Sequence, residues 1–227
     1  MEDYVTAKRN IFAHQTESDF AIYLPRNEFS NANVAFSKGK HIPYSIAPGA
    51  HVEDTSIVVE GVTVADLSDI KLLGAHNIEN ICAAITATWQ VVQDADAIKK
   101  VLQSFSGLEH RLELAGQVDG VSYYDDSFGT TPDTAVVAMD AFKENKVMIV
   151  GGHDKGNPFD DMAARLASPD IRHIVFIGTT GQKLFDMARA SGLSTDRATI
   201  REDGNSWTMT EIVPAAKDAA EPGDIVL

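Results

Sequence analysis

The sequence predicts an α/β protein in which an open, doubly wound sheet over residues 107–227 follows an incomplete second α/β unit over residues 1–106. Three observations predict it. Beyond residue 107, short apolar runs alternate with helix signals across short loops, the pattern of a parallel sheet covered on both faces. Charged and hydroxyl residues follow two of those runs, in YYDDSFGTTPDT and VMIVGGHDKG. Open α/β sheets bind ligands at such strand ends. Upstream, Ser106-Gly107 separates this alternation from a stretch of different character.

In order along the chain, residues 2–13 carry a helical pattern and residues 20–24 read as a strand. Short strands are expected at 34–36 and 42–44. Residues 56–59 and 62–65 flank Glu60-Gly61, a tight hairpin signal. At residues 72–92 the period changes: Ile78, Ile81, Cys82, Ile85 and Trp89 share one helical face. Asp94 or Asp96 caps a further helix running to about residue 105. Beyond the boundary, residues 112–118 and 121–124 read as strands around Asp119-Gly120. Thr131-Pro132-Asp133 opens a helix, with a capping hydroxyl, a proline in the first turn and an acid near the positive end. Residues 147–150 form a buried strand, and Asn157-Pro158 starts the next helix in the same way, through about residue 166. A strand at 174–177 leads through Gly178–Gly181, a tight helix-start loop, into a helix ending near residue 190. Residues 211–220 are helical. Residues 224–227 begin another strand, and a domain seldom stops inside a core strand, so truncation is expected.

Apolar residues make up 44% of the 227, ordinary for a globular protein. Nineteen Lys and Arg against 33 Asp and Glu give a formal charge of −14. That acidity disfavours unspecific nucleic-acid or anionic-membrane binding, which needs a basic face. It leaves room for a small phosphate site, where a few local donors suffice. No apolar run approaches the ~20 residues needed to span a bilayer, so membrane insertion is not expected. The first residues show no signal-peptide pattern, and the single cysteine, Cys82, allows no intrachain disulfide. The cytoplasm is the default location.

Several groups of residues have the chemistry to act. Lys8 reads first as an exposed helix lysine, and otherwise as a lysine beside a divalent metal or phosphate. Asn77 and Asn80, three apart at a helix start, share a face. They suit either helix capping or reading a ligand edge beside free backbone N–H groups. Arg111, in His110-Arg111 at the boundary, suits a phosphate or carboxylate, or an ordinary salt bridge. In Asp125-Asp126-Ser127 one acid suits a ribose diol, and Thr130-Thr131 with the helix-start N–H groups suits a carboxylate or phosphate. An Asx turn plus a cap is the plainer reading, although two adjacent acids and Phe128 exceed what a cap requires. Lys155, in Gly151-Gly152-His153-Asp154-Lys155-Gly156, places a point charge at a strand end. Neither G-x-x-x-x-G-K-[ST] nor G-x-G-x-x-G is present.

The stretches YVTAKRNIF, GAHNIENICAAITA, FSGLEHRLELAGQVDGVSYYDDSFGTTPDT, VMIVGGHDKG and PGDIVL resemble, in order and spacing, the Mur ligase family of ATP-dependent amide ligases. The resemblance spans nearly the whole chain. It implies that residues 1–106 are part of a central ATPase domain and residues 107–227 a Rossmann-like C-terminal domain. It also implies ATP and magnesium as cofactors, and a reaction in peptidoglycan precursor synthesis. The nearest branch takes UDP-N-acetylmuramoyl-L-alanine and D-glutamate as substrates and works as a monomer. Carried across by position, Lys8 and Arg111 are the catalytic candidates. Lys8, as a carbamate, would help hold magnesium, and Arg111 would lie beside ribose and phosphates. Asn77 and Asn80 would lie near ATP, Asn80 at the adenine, and Asp126 would hold the ribose. Thr130 and Lys155 would hold the carboxylates of D-glutamate.

The chain departs from the family run D-S-K-A-T-N, reading Asp126-Ser127-Phe128-Gly129-Thr130-Thr131. Phe128 stands where a lysine is usual and Thr131 where an asparagine is usual. With the phosphate loop also absent, two other readings stay open. One is a sibling ligase, including the kind that adds glutamate to folate. The other is a nucleotide-binding module without catalysis.

Overall fold

The structure, a computed structural model, describes residues 2–201 and 207–227. The chain divides into two units, Met1–Ser106 and Gly107–Leu227.

In the first unit, α1 (Glu2–Ala13), β1 (Phe20–Tyr23), α2 (Glu28–Val34) and β2 (Lys40–Pro43) come first. β1 and β2 pair in parallel. Next come β3 (His51–Glu53), β4 (Ser56–Val59) and β5 (Val62–Asp66), an antiparallel sheet. The β4–β5 turn needs two left-handed residues. Glu60 and Gly61 supply them, with φ of 49° and 79°. Helices α3 (Ala75–Trp89) and α4 (Ala95–Ser104) close the unit. Helical spacing puts Ile81, Cys82, Ile85 and Trp89 on one side of α3, buried with Ile57, Val59 and Val64 of the sheet. The Asp94 side chain caps α4, accepting from the Ala97 N–H at 2.9 Å.

One expected strand is absent. Residues 34–36 end helix α2 instead of forming a strand, because the Asn27 side chain caps that helix through the Ser30 N–H, 2.9 Å away. Val34 is the buried last residue of the helix, and Ala35 and Phe36 follow it exposed, a short apolar run that strand propensity misreads. Strand β3 was not anticipated; it exists through its pairing with β4.

The second unit opens with the antiparallel hairpin β6 (Glu113–Val118) and β7 (Val121–Asp125). Then α5 (Pro132–Asp140), β8 (Lys146–Gly151), α6 (Asp160–Leu166), β9 (Ile171–Ile177), α7 (Gly181–Ala190), β10 (Ala198–Thr199), α8 (Met209–Ala219) and β11 (Ile225–Val226) follow. The sheet order is β10-β9-β8-β11-β7-β6, parallel except for β6. Successive moves from β7 to β8, β9 and β10 run the same way along the sheet. Right-handed crossovers therefore set α5, α6 and α7 on one face. The return to β11, between β7 and β8, sets α8 on the other.

Alternation in the strands matches these faces. Met148, Val150, Ile174 and Phe176 pack with Met139, Leu166 and Leu184 of the three-helix face. Val147 and Val175 pack with Ile212 and Ala216 of α8. Helix α6 begins at Asp160 rather than at Asn157-Pro158. Buried Phe159 has non-helical φ −111° and ψ 5°, so the first turn starts after it, with Asp160 and Asp161 at its positive end.

The N-terminal edge of this sheet carries its strongest ion pairs. Lys146 is fully buried, yet its Nζ donates to Asp170 at 2.8 Å and to the Glu144 carbonyl at 2.7 Å. Arg165 grips the same Asp170 with both fork nitrogens, at 2.8 and 2.7 Å. Arg165 and Lys146 hold the Asp170 carboxyl well below the usual carboxylate range, against the opposing effect of burial.

Candidate functional site

The opposite, C-terminal edge of the parallel strands opens into a cavity of about 1030 Å³. Of the residues given a role by the family resemblance, Asp126 after β7, Thr130 before α5 and Lys155 after β8 line it, with Asp125 and Thr131 beside them. The topology explains the gathering. Strand β11 returns between β7 and β8, so the loops leaving those two strands stand a strand apart on either side of its C-terminal end.

Two loops flank Asp126 and are laced together. The Asp126 carboxylate accepts the Leu112 N–H at 3.1 Å. The His110 carbonyl accepts the Phe128 N–H at 3.0 Å, and Glu113 accepts the His110 N–H at 2.8 Å. Asp125 accepts the Ser127 N–H at 2.8 Å, the expected Asx turn. Its second oxygen meets His110 Nδ1 at 2.8 Å. The His110 hydrogen bond, with the Ser127 amide, brings the Asp125 carboxyl down to about 2. Asp125 in turn raises the imidazole above its usual value, helped by Glu113 and Glu109. Sequence reasoning singled out both His110 and Asp125 but not their pairing. The signal was present: the hairpin at Asp119-Gly120 folds the two segments onto each other, with Glu113 opposite Asp125.

Arg111 does not line the cavity. Its guanidinium lies 5.5 Å from the centre of the exposed Phe128 ring, so the residue that breaks the family run is the one Arg111 stacks on. Thr131 caps α5 as expected: the Thr134 N–H reaches its hydroxyl, and the Thr134 hydroxyl reaches back to the Thr131 N–H at 3.2 Å. Thr130, just before it, is exposed.

Lys155 is exposed and forms no hydrogen bond or ion pair among the described residues. The loop that carries it is tied down at two residues just before it. The Gly152 carbonyl accepts the Thr180 N–H at 3.0 Å and the Thr179 hydroxyl at 2.7 Å. Asp154 accepts the Gly156 N–H at 2.8 Å and pairs with Lys183 at 3.0 Å. Sequence reading took Gly178–Gly181 for a plain helix-start loop and missed this tie. No spacing signal joins segments 27 residues apart.

In the first unit, Lys8 is exposed on α1, its ammonium 5.4 Å from the Tyr4 ring centre. The Asn77 amide donates to the Leu73 carbonyl at 2.7 Å, so its donor serves the helix start. Asn80 is exposed one turn on. Its amide donates to the Asn77 side-chain oxygen at 3.5 Å, so the two asparagines are linked on one face of the helix. A group of three His and acidic side chains close enough to hold a metal is formed, among the described residues, by His110, Glu113 and Asp125. Lys8 is not part of it. No described helix is long and apolar enough to cross a membrane.

Comparison with known proteins agrees with this architecture. The family model described as "Mur ligase middle domain" matches residues 1–88, and "Mur ligase, glutamate ligase domain" matches residues 110–227. The chain is 35% identical over 232 residues to the UDP-N-acetylmuramoylalanine--D-glutamate ligase of Geobacillus kaustophilus, covering 100% of this chain and 49% of that protein. It is 35% identical over 236 residues to the protein of the same name from Clostridium novyi, with the same coverage. The chain thus spans about half the length of the curated relatives it matches. Among solved structures, MurF from Acinetobacter baumannii superposes with a TM-score of 0.74 at 18% identity, over 99% of this chain and 51% of that one. Folylpolyglutamate synthase from Thermotoga maritima gives 0.66 at 16%, over 99% and 54%. At such identities these likenesses speak for the fold alone. With both domain models matched in order along a sheet of the expected Rossmann-like build, the chain belongs to the Mur ligase family.

Proposed function

We propose that the chain is part of an ATP-dependent amide ligase that joins D-glutamate to UDP-N-acetylmuramoyl-L-alanine in peptidoglycan precursor synthesis. The observation that carries the reading is the cavity edge of the second unit, where an acid, a hydroxyl and an unpaired lysine converge at strand ends. Those are the groups that a ribose diol and a dicarboxylic amino acid need. The curated relatives are ligases of this name, which supports the choice of substrates.

In this reaction the γ-phosphoryl group of ATP passes to the carboxylate of the UDP-sugar substrate and ADP leaves. The amine of D-glutamate attacks the acyl phosphate, phosphate departs, and an amide forms. Residues 1–106 belong, in this reading, to the central ATP-binding domain. There Asn80 offers its exposed amide to the adenine edge, while Asn77 holds the helix start in shape. In the C-terminal domain Asp126 accepts from the ribose hydroxyls. Its backbone tie to Leu112 keeps the carboxylate from turning away. Arg111, stacked on Phe128, keeps its guanidinium fork free for phosphate oxygens. Lys155 and Thr130 meet the carboxylates of D-glutamate.

Magnesium, when bound, neutralises charge on the transferring phosphoryl group. Lys8 is exposed and as a carbamate offers it one anionic contact, but the His and acid trio found among the described residues lies elsewhere in the sequence. The fit to the metal is a single contact rather than a full ligand set. We take the enzyme to work as a monomer in the cytoplasm.

Phosphate release by the complete ligase, with ATP and UDP-N-acetylmuramoyl-L-alanine and a panel of amino acids, tests the reading. D-glutamate should support turnover, and L-glutamate, D-aspartate and L-alanine should not. Turnover with a different amino acid, or with a folate in place of the UDP-sugar, would show a sibling ligase instead.

A further inference from the structure

We propose that the loop between β9 and α7 with the first turn of α7, through Thr179, Thr180 and Lys183, is a strap that positions Lys155 for the amino-acid carboxylate. Within the β8-end loop itself, one hydrogen bond spans Lys155, the Gly156 N–H donating to Asp154 at 2.8 Å. Gly151, Gly152 and Gly156 all have left-handed φ, at 137°, 140° and 78°, conformations that impose little restraint on a glycine. What attaches that short turn to the rest of the unit comes from outside the loop. The Gly152 carbonyl takes three donors, all from the loop after β9: the Thr180 N–H at 3.0 Å, the Thr179 hydroxyl at 2.7 Å and the Thr180 hydroxyl at 3.2 Å.

The two loops touch backbone to backbone. A Cβ on Gly178 would stand 2.8 Å from the Gly152 nitrogen, and one on Gly151 would stand 1.8 Å from the Ile177 carbonyl oxygen. Both glycines are therefore required by the clasp itself. Lys183 adds a second tie. Its ammonium pairs with Asp154 at 3.0 Å while lying 4.9 Å from the ring centre of buried Phe159. Phe159 is anchored in the core, so Lys183 connects the loop to a fixed point. Both ties fall just before Lys155, one three residues before it and one immediately before it. Pairing with Lys183 also satisfies Asp154, leaving Lys155 as the loop's cation without a partner.

On the reading of Lys155 given above, the strap acts on the amino acid and not on the nucleotide. Thr179 and Lys183 do not line the cavity and act as positioning residues; Thr180 does line it, so the test rests on the other two. In the complete ligase, Thr179→Val and Lys183→Met should each raise KM for D-glutamate about tenfold or more. They should leave KM for ATP and kcat within about threefold, and Lys183→Arg should restore most of the loss. In parallel, hydrogen exchange of the amides at residues 152–156 should speed up in both variants of the 227-residue chain. Lys155→Met is the reference arm. If it raises KM for D-glutamate while the strap variants leave KM and exchange unchanged, the strap is refuted and the role of Lys155 stands. If Lys155→Met has no effect on KM, the reading of Lys155 fails and the strap has no function to serve.

Discussion

Replacing Asp170 by alanine should be the most destabilising change at the N-terminal edge of the second unit's sheet. Asp170 is the shared partner of Lys146, whose side chain is 0% exposed, and of Arg165, whose side chain is 18% exposed. Without it, the Lys146 ammonium keeps a single carbonyl partner in a place water does not reach. Breaking a buried pair by removing one partner typically costs about 3–5 kcal/mol. Asp170 keeps 34% of its side chain exposed, which weakens its bonds through solvent screening, so the low end, about 3 kcal/mol, applies. For a domain of this size each kcal/mol shifts Tm by roughly 4 °C, giving a fall of about 12 °C. Calorimetry on the wild type, Asp170→Ala, Lys146→Met and the double variant would read it. In the Lys146→Met background, where no buried charge is stranded, the aspartate substitution should cost only about 1 kcal/mol, the part owed to Arg165. The pH dependence has a definite sign. The carboxyl titrates below its usual value when folded, so its contribution is complete above pH ~4 and is lost as pH falls toward the lowered value. Equal losses in both backgrounds would refute the claim that a stranded lysine causes the damage.

Other expectations follow from single contacts. The His110 ring, followed by NMR, should titrate above 6.5 and return toward that value in Asp125→Asn; an unchanged midpoint would mean the pair does not persist in solution. Because that pKa is raised on folding, any stability it gives is present at low pH and lost as pH rises through it. Cys82, its thiol pushed up to about 11 by burial, should resist alkylation at pH 8 until the first unit unfolds, and rapid labelling of folded protein would contradict its place in the core. Gly151→Ala should destabilise the second unit by about 2 kcal/mol or more, since the new Cβ meets a backbone oxygen at a left-handed φ, whereas Gly116→Ala meets nothing within 4 Å and should stay within about 0.5 kcal/mol. Comparable melting temperatures for the two would show that the clasp between the loops after β8 and β9 is absent.

What was legible in the sequence followed local chemistry. The α3 face of Ile81, Cys82, Ile85 and Trp89, the Glu60-Gly61 and Asp119-Gly120 turns, and the Thr131 cap all depend on neighbours within a few residues. The second unit's alternation fixed its class because β7, β8 and β9 are each followed by a helix. One misreading fell to a local cap, and the others fall where distant partners decide. Residues 34–36 have strand-like side chains, yet the Asn27 cap commits them to a helix end. Strands β3 and β10, three and two residues long, exist only through pairing with β4 and β9. The candidate residues at the cavity edge were visible because ligand-binding chemistry stands out at strand ends. The lacing of His110 with Asp125, and of Thr179 with Gly152, depended on register and crossover order, which a single sequence does not spell out.

The central claim is that one sheet edge presents an acid to the nucleotide and a lysine to the amino acid. Steady-state kinetics of the complete ligase with Asp126→Ala and Lys155→Met test it most directly. A charge-assisted hydrogen bond is worth about 1.5–3 kcal/mol, so each loss should change the matching KM by roughly 10- to 150-fold. Asp126→Ala should raise KM for ATP and spare that for D-glutamate, and Lys155→Met should do the reverse. If both variants weaken the same substrate, or neither weakens any, the assignment of this edge is wrong.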